Sequence, residues 1–146
     1  MNILLVDDQQ EYRLVLKTLL MDQGWDVFTA DDGEDGLNAL VRTSVDLIIS
    51  DIYMPVMDGF KFHQAVRNTP GYEKLPFIFV SAYDDEYTTL AVKDPRYETF
   101  LQKTSSIEEF VEWVRYFLLP EEKRQNQPLA GDARFEQAKF SISLTE

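Results

Sequence analysis

"VDLIISDIYMPVMDG", residues 45–59, runs from an apolar segment through Asp51 to a Met54-Pro55 step and then Asp58-Gly59. The short run 45–50, bounded by turn signals, reads as a strand buried on both faces, the habit of parallel sheets. A helix is expected over 58–68, opened by Asp58-Gly59. Asp51 therefore stands at the carboxyl end of an inner strand. It is either a turn residue or a carboxylate that does chemistry.

Outward from this segment the same alternation repeats. "NILLV" (2–6), apolar after Asn2, reads as a second strand buried on both faces. Residues 9–23 carry Tyr12, Val15, Leu16, Leu19 and Leu20 at helical spacing, closed by Gly24. "WDVFTA" (25–30) reads as a strand, and "DGEDGLNALVRT" as a helix burying Leu37, Leu40 and Val41. "PFIFVSA" (76–82) and "YETFLQ" (97–102) are further strands. Residues 84–93 read as helical, in a region kept short or irregular by Pro95, which pushes Asp94 out of helical geometry. The pattern is clearest over 106–119, where Ile107, Phe110, Val111, Val114, Phe117 and Leu118 share a face and a serine cap pairs with Glu108 or Glu109. Five β/α repeats predict a doubly wound α/β fold, a five-stranded parallel sheet with helices on both faces.

Composition narrows the function. At 146 residues one sizeable core is expected, and no apolar run has the roughly 18–20 residues of a membrane span. There are no cysteines, so disulfides and thiolate metal sites are excluded, in keeping with a cytoplasmic protein. The net charge of −12 argues against nucleic-acid binding, and residues 1–119 hold −11 of it. Residues 120–146, beginning "PEEKRQNQPLAGDAR", read as a linker or C-terminal extension toward a further module.

In doubly wound sheets function collects at the carboxyl ends of the strands. Those ends hold Asp7 and Asp8, Asp51, Ser81 and Lys103. Each has an ordinary reading. Asp8 suits an N-cap with Glu11 as its box partner, Asp51 a turn, Ser81 a satisfied hydroxyl, Lys103 a solvated lysine. Together they form a chemical set. Three converging carboxylates repel unless a hard dication sits among them, and an oxygen-only site suits Mg²⁺. Lys103 adds a fixed positive charge and Ser81 a donor, the parts that stabilise a transferring phosphoryl group. An aspartate carboxylate is a competent nucleophile for that chemistry.

At this point the chain resembles the receiver domain of two-component response regulators. The likeness covers residues 1–119 and rests on "VDD" (6–8), "DIYMPVMDG" (51–59), "VSA" (80–82) and "FLQK" (100–103). The resemblance implies that Asp51 is phosphorylated by a histidine kinase or phosphotransfer protein. It implies a Mg²⁺ site of Asp8, Asp51 and the Tyr53 backbone carbonyl, with Asp7 nearby or acting through water. Ser81 and Lys103 would contact the phosphoryl oxygens, and Ser81 with Phe100 would carry the switch to an output domain or protein. Homodimer formation is left open. Such a module accepts and loses its own phosphoryl group and is not a turnover enzyme.

Two departures from the family pattern stand out. Thr104 replaces the proline that usually follows the lysine, and bulky Arg96 and Tyr97 replace a small pair before the fifth strand. A degenerate, partner-binding receiver is therefore the alternative reading. An aspartyl-phosphate phosphohydrolase of the haloacid dehalogenase type is disfavoured, because Tyr53 stands where its second aspartate belongs. A dinucleotide site is disfavoured by "VDDQQE" in place of a glycine-rich loop. Tyr53 and Tyr83 are expected to slow hydrolysis of the acyl phosphate. His63 is expected to be a partly exposed helical histidine. Trp113 and Tyr116, off the buried stripe, are expected to be partly packed, with a partner-contact patch as the alternative.

Overall fold

The computed structural model describes residues 1–128. Its elements alternate as β1 (Asn2–Val6), α1 (Gln10–Asp22), β2 (Asp26–Ala30), α2 (Gly33–Arg42), β3 (Leu47–Asp51), α3 (Gly59–Arg67), β4 (Phe77–Ser81), α4 (Glu86–Thr89), β5 (Glu98–Gln102) and α5 (Ile107–Leu118). The strand run read over 76–82 thus contracts to its middle, while β3 ends on Asp51 itself. The "FEQAKFSISLTE" segment lies outside the described residues.

All five strands pair in parallel, in the order β2-β1-β3-β4-β5. Strand order reverses between β1 and β3, so the crevice beyond their carboxyl ends is the switch point where such sheets hold ligands. The register Val6↔Ser50 carries forward to set Asp7 beside Asp51. β3 and β4 are buried throughout, as a sheet covered on both faces demands. One pleat face, with Leu4, Val6, Ile48, Phe77 and Phe79, packs with Leu40 of α2 and Phe62 and Val66 of α3. The other face presents Ile3, Leu5, Leu47 and Ile49, all fully buried, and Leu16 and Leu20 of α1 are buried outside the first cluster.

The chain divides into two compact units after Lys103. In the second, Ser106 caps α5 by accepting from the Glu109 amide at 3.2 Å, one of the two expected pairs. Phe110, Val111, Val114 and Phe117 are buried as expected. Trp113 is buried too, at 5% exposure, in ring contact with Tyr116 and Phe117. The partner-patch alternative therefore fails for Trp113. Beyond α5, Arg124 donates to the carbonyls of Phe117 and Leu119, closing the last turn of the helix.

Other side-chain expectations change as well. Val15 and Val41 are exposed, because α1 and α2 bury narrower stripes than their apolar residues suggest. Asp8 is not the cap of α1: the cap position is Gln9, and no side chain bonds there. His63 is buried, edge-on to Phe77, with Nε2 2.5 Å from the Glu98 carboxylate.

The fourth helix is short, as Pro95 led one to expect, but it ends well before that proline. Asp85 and Thr88 form a capping box, and the hydroxyls of Thr88 and Thr89 both return to the Asp85 carbonyl. Such back-bonding competes with helix propagation. The amides of Lys93 and Asp94, which a longer helix would have used, instead donate to Glu98 at 2.7 and 3.1 Å.

Candidate functional site at the strand ends

Asp7 follows β1 with its side chain fully buried, and Asp51 closes β3 at 5% exposure. Asp8, one residue on, points to the surface. One carboxylate oxygen from each of the three lies within 4.8 Å of the others. Sequence reasoning placed these groups at one end of a sheet, and the structure brings them to one point.

Asp51 Oδ1 accepts from the Ile52 amide at 2.8 Å, and Oδ2 faces Lys103 Nζ at 3.3 Å. The ammonium lies still closer to Asp7, at 2.8 Å from Oδ2. The Lys103–Thr104 peptide is trans, so the threonine that replaces the usual proline does not turn the lysine away. Lys103 is aimed by the sheet, since its amide donates to the Ser81 carbonyl at 2.9 Å and extends the β4–β5 ladder by one residue.

Burial raises the Asp51 pKa to about 6. The Asp7 charge adds to that rise, while Lys103 and the Ile52 amide oppose it. Asp7 is raised for the same first reason, with Lys103 and the Gln9 amide opposing. Burial thus makes both carboxylates costly to ionise, and Lys103 offsets part of that cost.

The loop after Asp51 is held close to the strand. The Gly59 amide donates to the Ile52 carbonyl at 2.7 Å, and a Cβ at Gly59 would stand 2.4 Å from the Asp51 carbonyl oxygen. Only glycine admits that approach. Val56 adopts a positive φ of 69°, costly for a β-branched residue, around a Met57 N–H to Pro55 C=O bond of 2.7 Å. Asp58 then caps α3 by accepting from the Lys61 amide.

Ser81 ends β4 fully buried, its Oγ accepting from the Tyr83 amide at 3.0 Å. Tyr53 and Tyr83 meet edge to face, ring centroids 5.6 Å apart. The Tyr53 hydroxyl donates to Asp85 at 2.7 Å, which pushes the phenol up to about 12. The loops after β3 and β4 are therefore tied to each other and to the cap of α4. Phe100 is partly buried against the core cluster on the α2–α3 face.

Two neighbours escaped the sequence reading. Gln9 Oε1 accepts from Lys103 Nζ at 2.8 Å, and the Tyr12 ring lies under the same ammonium at 4.7 Å. The Tyr12 phenol is held neutral, raised by burial and then by the charges of Asp7 and Asp51. The one available signal was position: Gln9 directly follows the acidic pair, and Tyr12 sits one helical turn beyond it.

With that geometry in place, comparison with known proteins is consistent. The sequence matches the response regulator receiver domain over residues 3–115, and the chain belongs to that family. An uncharacterized 14.6 kDa protein of Leptolyngbya boryana is 34% identical over 82% of this chain and 91% of its own length. A probable chemotaxis protein CheY of Rhizobium etli is 42% identical over 58% of this chain and 66% of its own. The Streptomyces coelicolor transcriptional regulatory protein AfsQ1 is matched over only 36% of its length. Among solved structures, Vibrio cholerae CheY4 superposes with a TM-score of 0.72 at 31% identity, covering 78% of this chain and 95% of that one. The response regulator TrrA of Thermotoga maritima, solved in complex with Mg(2+)-BeF, gives a TM-score of 0.68 at 28% identity over 80% of this chain and 97% of its own. No helix among the described residues is long and apolar enough to cross a membrane.

Proposed function

We propose that this chain is a phosphorylation-controlled module in which Asp51 accepts a phosphoryl group from a phosphohistidine of a histidine kinase or phosphotransfer protein. The observation that carries the proposal is the convergence of Asp7, Asp8 and Asp51 with the Lys103 ammonium on Asp51 Oδ2. An Asp51 oxygen attacks phosphorus, the P–N bond breaks, and its electron pair stays on the imidazole, leaving an acyl phosphate. Lys103 is close enough to neutralise a phosphoryl oxygen on Asp51. Ser81, two residues before Tyr83, has a hydroxyl proton to donate to another, since its Oγ accepts the Tyr83 amide. Water later attacks phosphorus, inorganic phosphate leaves and the carboxylate is restored. Tyr53 and Tyr83, two residues beyond Asp51 and Ser81 and in contact with each other, would slow that attack.

The donor set fits Mg²⁺. Three carboxylates against one ammonium leave two negative charges, the complement of one divalent cation, and every donor is a hard oxygen. Asp8, Asp51 and the Tyr53 carbonyl would hold the ion, with Asp7 beside them. When bound, Mg²⁺ supplies charge neutralisation for phosphoryl oxygens. The Mg(2+)-BeF complex of TrrA supports the same assignment here.

In this reading residues 1–119 form the receiver and 120–146 a linker or C-terminal extension. The chain works in the cytoplasm, and its switch acts through Ser81 and Phe100 on an output domain, a partner or a second copy. The test is incubation with Mg²⁺ and acetyl phosphate, then detection of a base-labile, acid-stable adduct. The adduct is expected in the parent and absent in Asp51→Asn and after chelation with EDTA. A parent that forms none refutes the assignment.

A further inference from the structure

The Lys103 ammonium is confined by more than the two carboxylates it neutralises. Its side chain is 9% exposed, with Asp7 Oδ2 at 2.8 Å and Asp51 Oδ2 at 3.3 Å. The remaining directions are taken by α1. Gln9 Oε1 accepts a hydrogen bond at 2.8 Å, and the Tyr12 ring offers its face at 4.7 Å. An ammonium has three N–H donors, and a cation near a ring centroid is drawn to the face of the π-system. The Tyr12 hydroxyl is buried without a hydrogen-bond partner, so the ring, not the phenol oxygen, meets the lysine.

The first turn of α1 is itself fixed to the site. The Gln9 amide donates to Asp7 Oδ1 at 2.8 Å. Arg13 reaches back to the Asp7 carbonyl and pairs with Asp31 at 3.0 Å. The backbone that carries Gln9 and Tyr12 is therefore held to the Asp7 segment and to Asp31. A flexible four-carbon lysine stem loses conformational freedom when it is held in one geometry. Here Gln9 and Tyr12 surround the head group, at a position where threonine follows the lysine.

We propose that Gln9 and Tyr12 are positioning residues that hold the Lys103 ammonium against Asp51 for phosphoryl transfer. The proposal rests on the assignment of Asp51 as phosphoacceptor. Neither side chain touches the reacting atoms. Each acts through Lys103, by an amide oxygen and a ring face respectively.

Two readouts test it on the full chain. The first needs no phosphodonor. In ¹³C-resolved NMR the ε-methylene protons of Lys103 are expected upfield in the parent and in Tyr12→Phe, shifted by the ring current, and near the ordinary lysine position in Tyr12→Leu. The second is the rate of adduct formation with Mg²⁺ and acetyl phosphate. Gln9→Met and Tyr12→Leu are each expected to slow it ~10-fold, the scale of a modest misplacement of a catalytic group, and Tyr12→Phe to restore it. In a Lys103→Ala background the same two substitutions are expected to add nothing, because residues that act through one group are not additive. Full slowing by either substitution in the Lys103→Ala background, or an unshifted Lys103 signal in the parent, overturns the proposal. A parent that forms no adduct overturns the assignment of Asp51 instead, while the NMR result still decides whether the ring holds the ammonium.

Discussion

Replacing Glu98 tests a buried ionic node at the amino end of β5, away from the candidate site. Its carboxylate, 2% exposed at the start of β5, accepts five hydrogen bonds. Oε2 takes His63 Nε2 at 2.5 Å and Arg67 Nε and Nη2 at 2.9 and 2.8 Å. Oε1 takes the backbone amides of Lys93 and Asp94. Burial raises its pKa, but the bonds from His63, the two amides and Arg67 outweigh that and bring it from 4.5 down to about 2. At ~1.4 kcal/mol per unit the depression is worth at most about 3 kcal/mol of stability. Because the folded pKa is the lower one, that stability is present above pH 4.5 and drains away as pH falls toward 2. Glu98→Gln keeps the shape, but its NH₂ must face a donor, so it is expected to cost about 3 kcal/mol near neutrality. Urea unfolding of both proteins at pH 7 and pH 3 checks this. The gap between parent and variant is expected to shrink to about half at pH 3. An equal gap at both pH values would show that the carboxylate charge contributes nothing.

Further expectations follow from single contacts. Gly59→Ala places a Cβ 2.4 Å from the Asp51 carbonyl and 2.8 Å from Ile52 Cα, so overpacking is expected to cost about 1–3 kcal/mol by urea unfolding; an unchanged midpoint refutes the close approach. Trp113→Ala is expected to lose about 3–5 kcal/mol, while Trp113→Phe stays near the parent in thermal melts, since the indole N–H has no partner to lose. Replacing Tyr53 and Tyr83 together by alanine is expected to speed loss of the acyl phosphate, timed after removal of acetyl phosphate; an unaltered half-life removes the tyrosines from the gating of water.

Much of the architecture was legible because strand and helix periods differ and the inner strands are mostly apolar. "NILLV" (2–6) and "VDLIIS" (45–50) read as strands buried on both faces, and the parallel topology followed. The convergence of Asp7, Asp8, Asp51 and Lys103 was legible from their position at strand ends. What stayed hidden depends on contacts far apart in sequence. His63 finds Glu98 thirty-five residues away, and no local pattern marks a helical histidine for a glutamate at the start of a strand. Gln9 reaches Lys103 ninety-four residues on. Val41 sits at helical spacing yet is 88% exposed, whereas Trp113 off the apolar stripe is buried, because the width of a buried stripe is set by what packs against it. The short fourth helix was read from Pro95, but its early end is a matter of threonine hydroxyls and of a carboxylate that captures two amides.

Those two nodes sit at opposite ends of β5, and this bears on how a change at Asp51 can leave the site. Glu98 begins the strand and Lys103 follows its end, about 17 Å apart at ~3.3 Å per residue. One end is pinned to α3 and to the α4–β5 segment by five hydrogen bonds, the other to β4 through the Ser81 carbonyl. Sliding the strand would break both sets, including the buried His63–Glu98 contact. Phe100 lies between the pins, only partly buried against the core. The expectation is that phosphorylation, or Mg²⁺ with beryllofluoride, changes the Phe100 ring signals while the amides of Lys93, Asp94 and Glu98 keep their shifts and exchange protection. Loss of protection at Lys93 and Asp94 on activation would mean that the Glu98 node itself opens, and that β5 moves as a body.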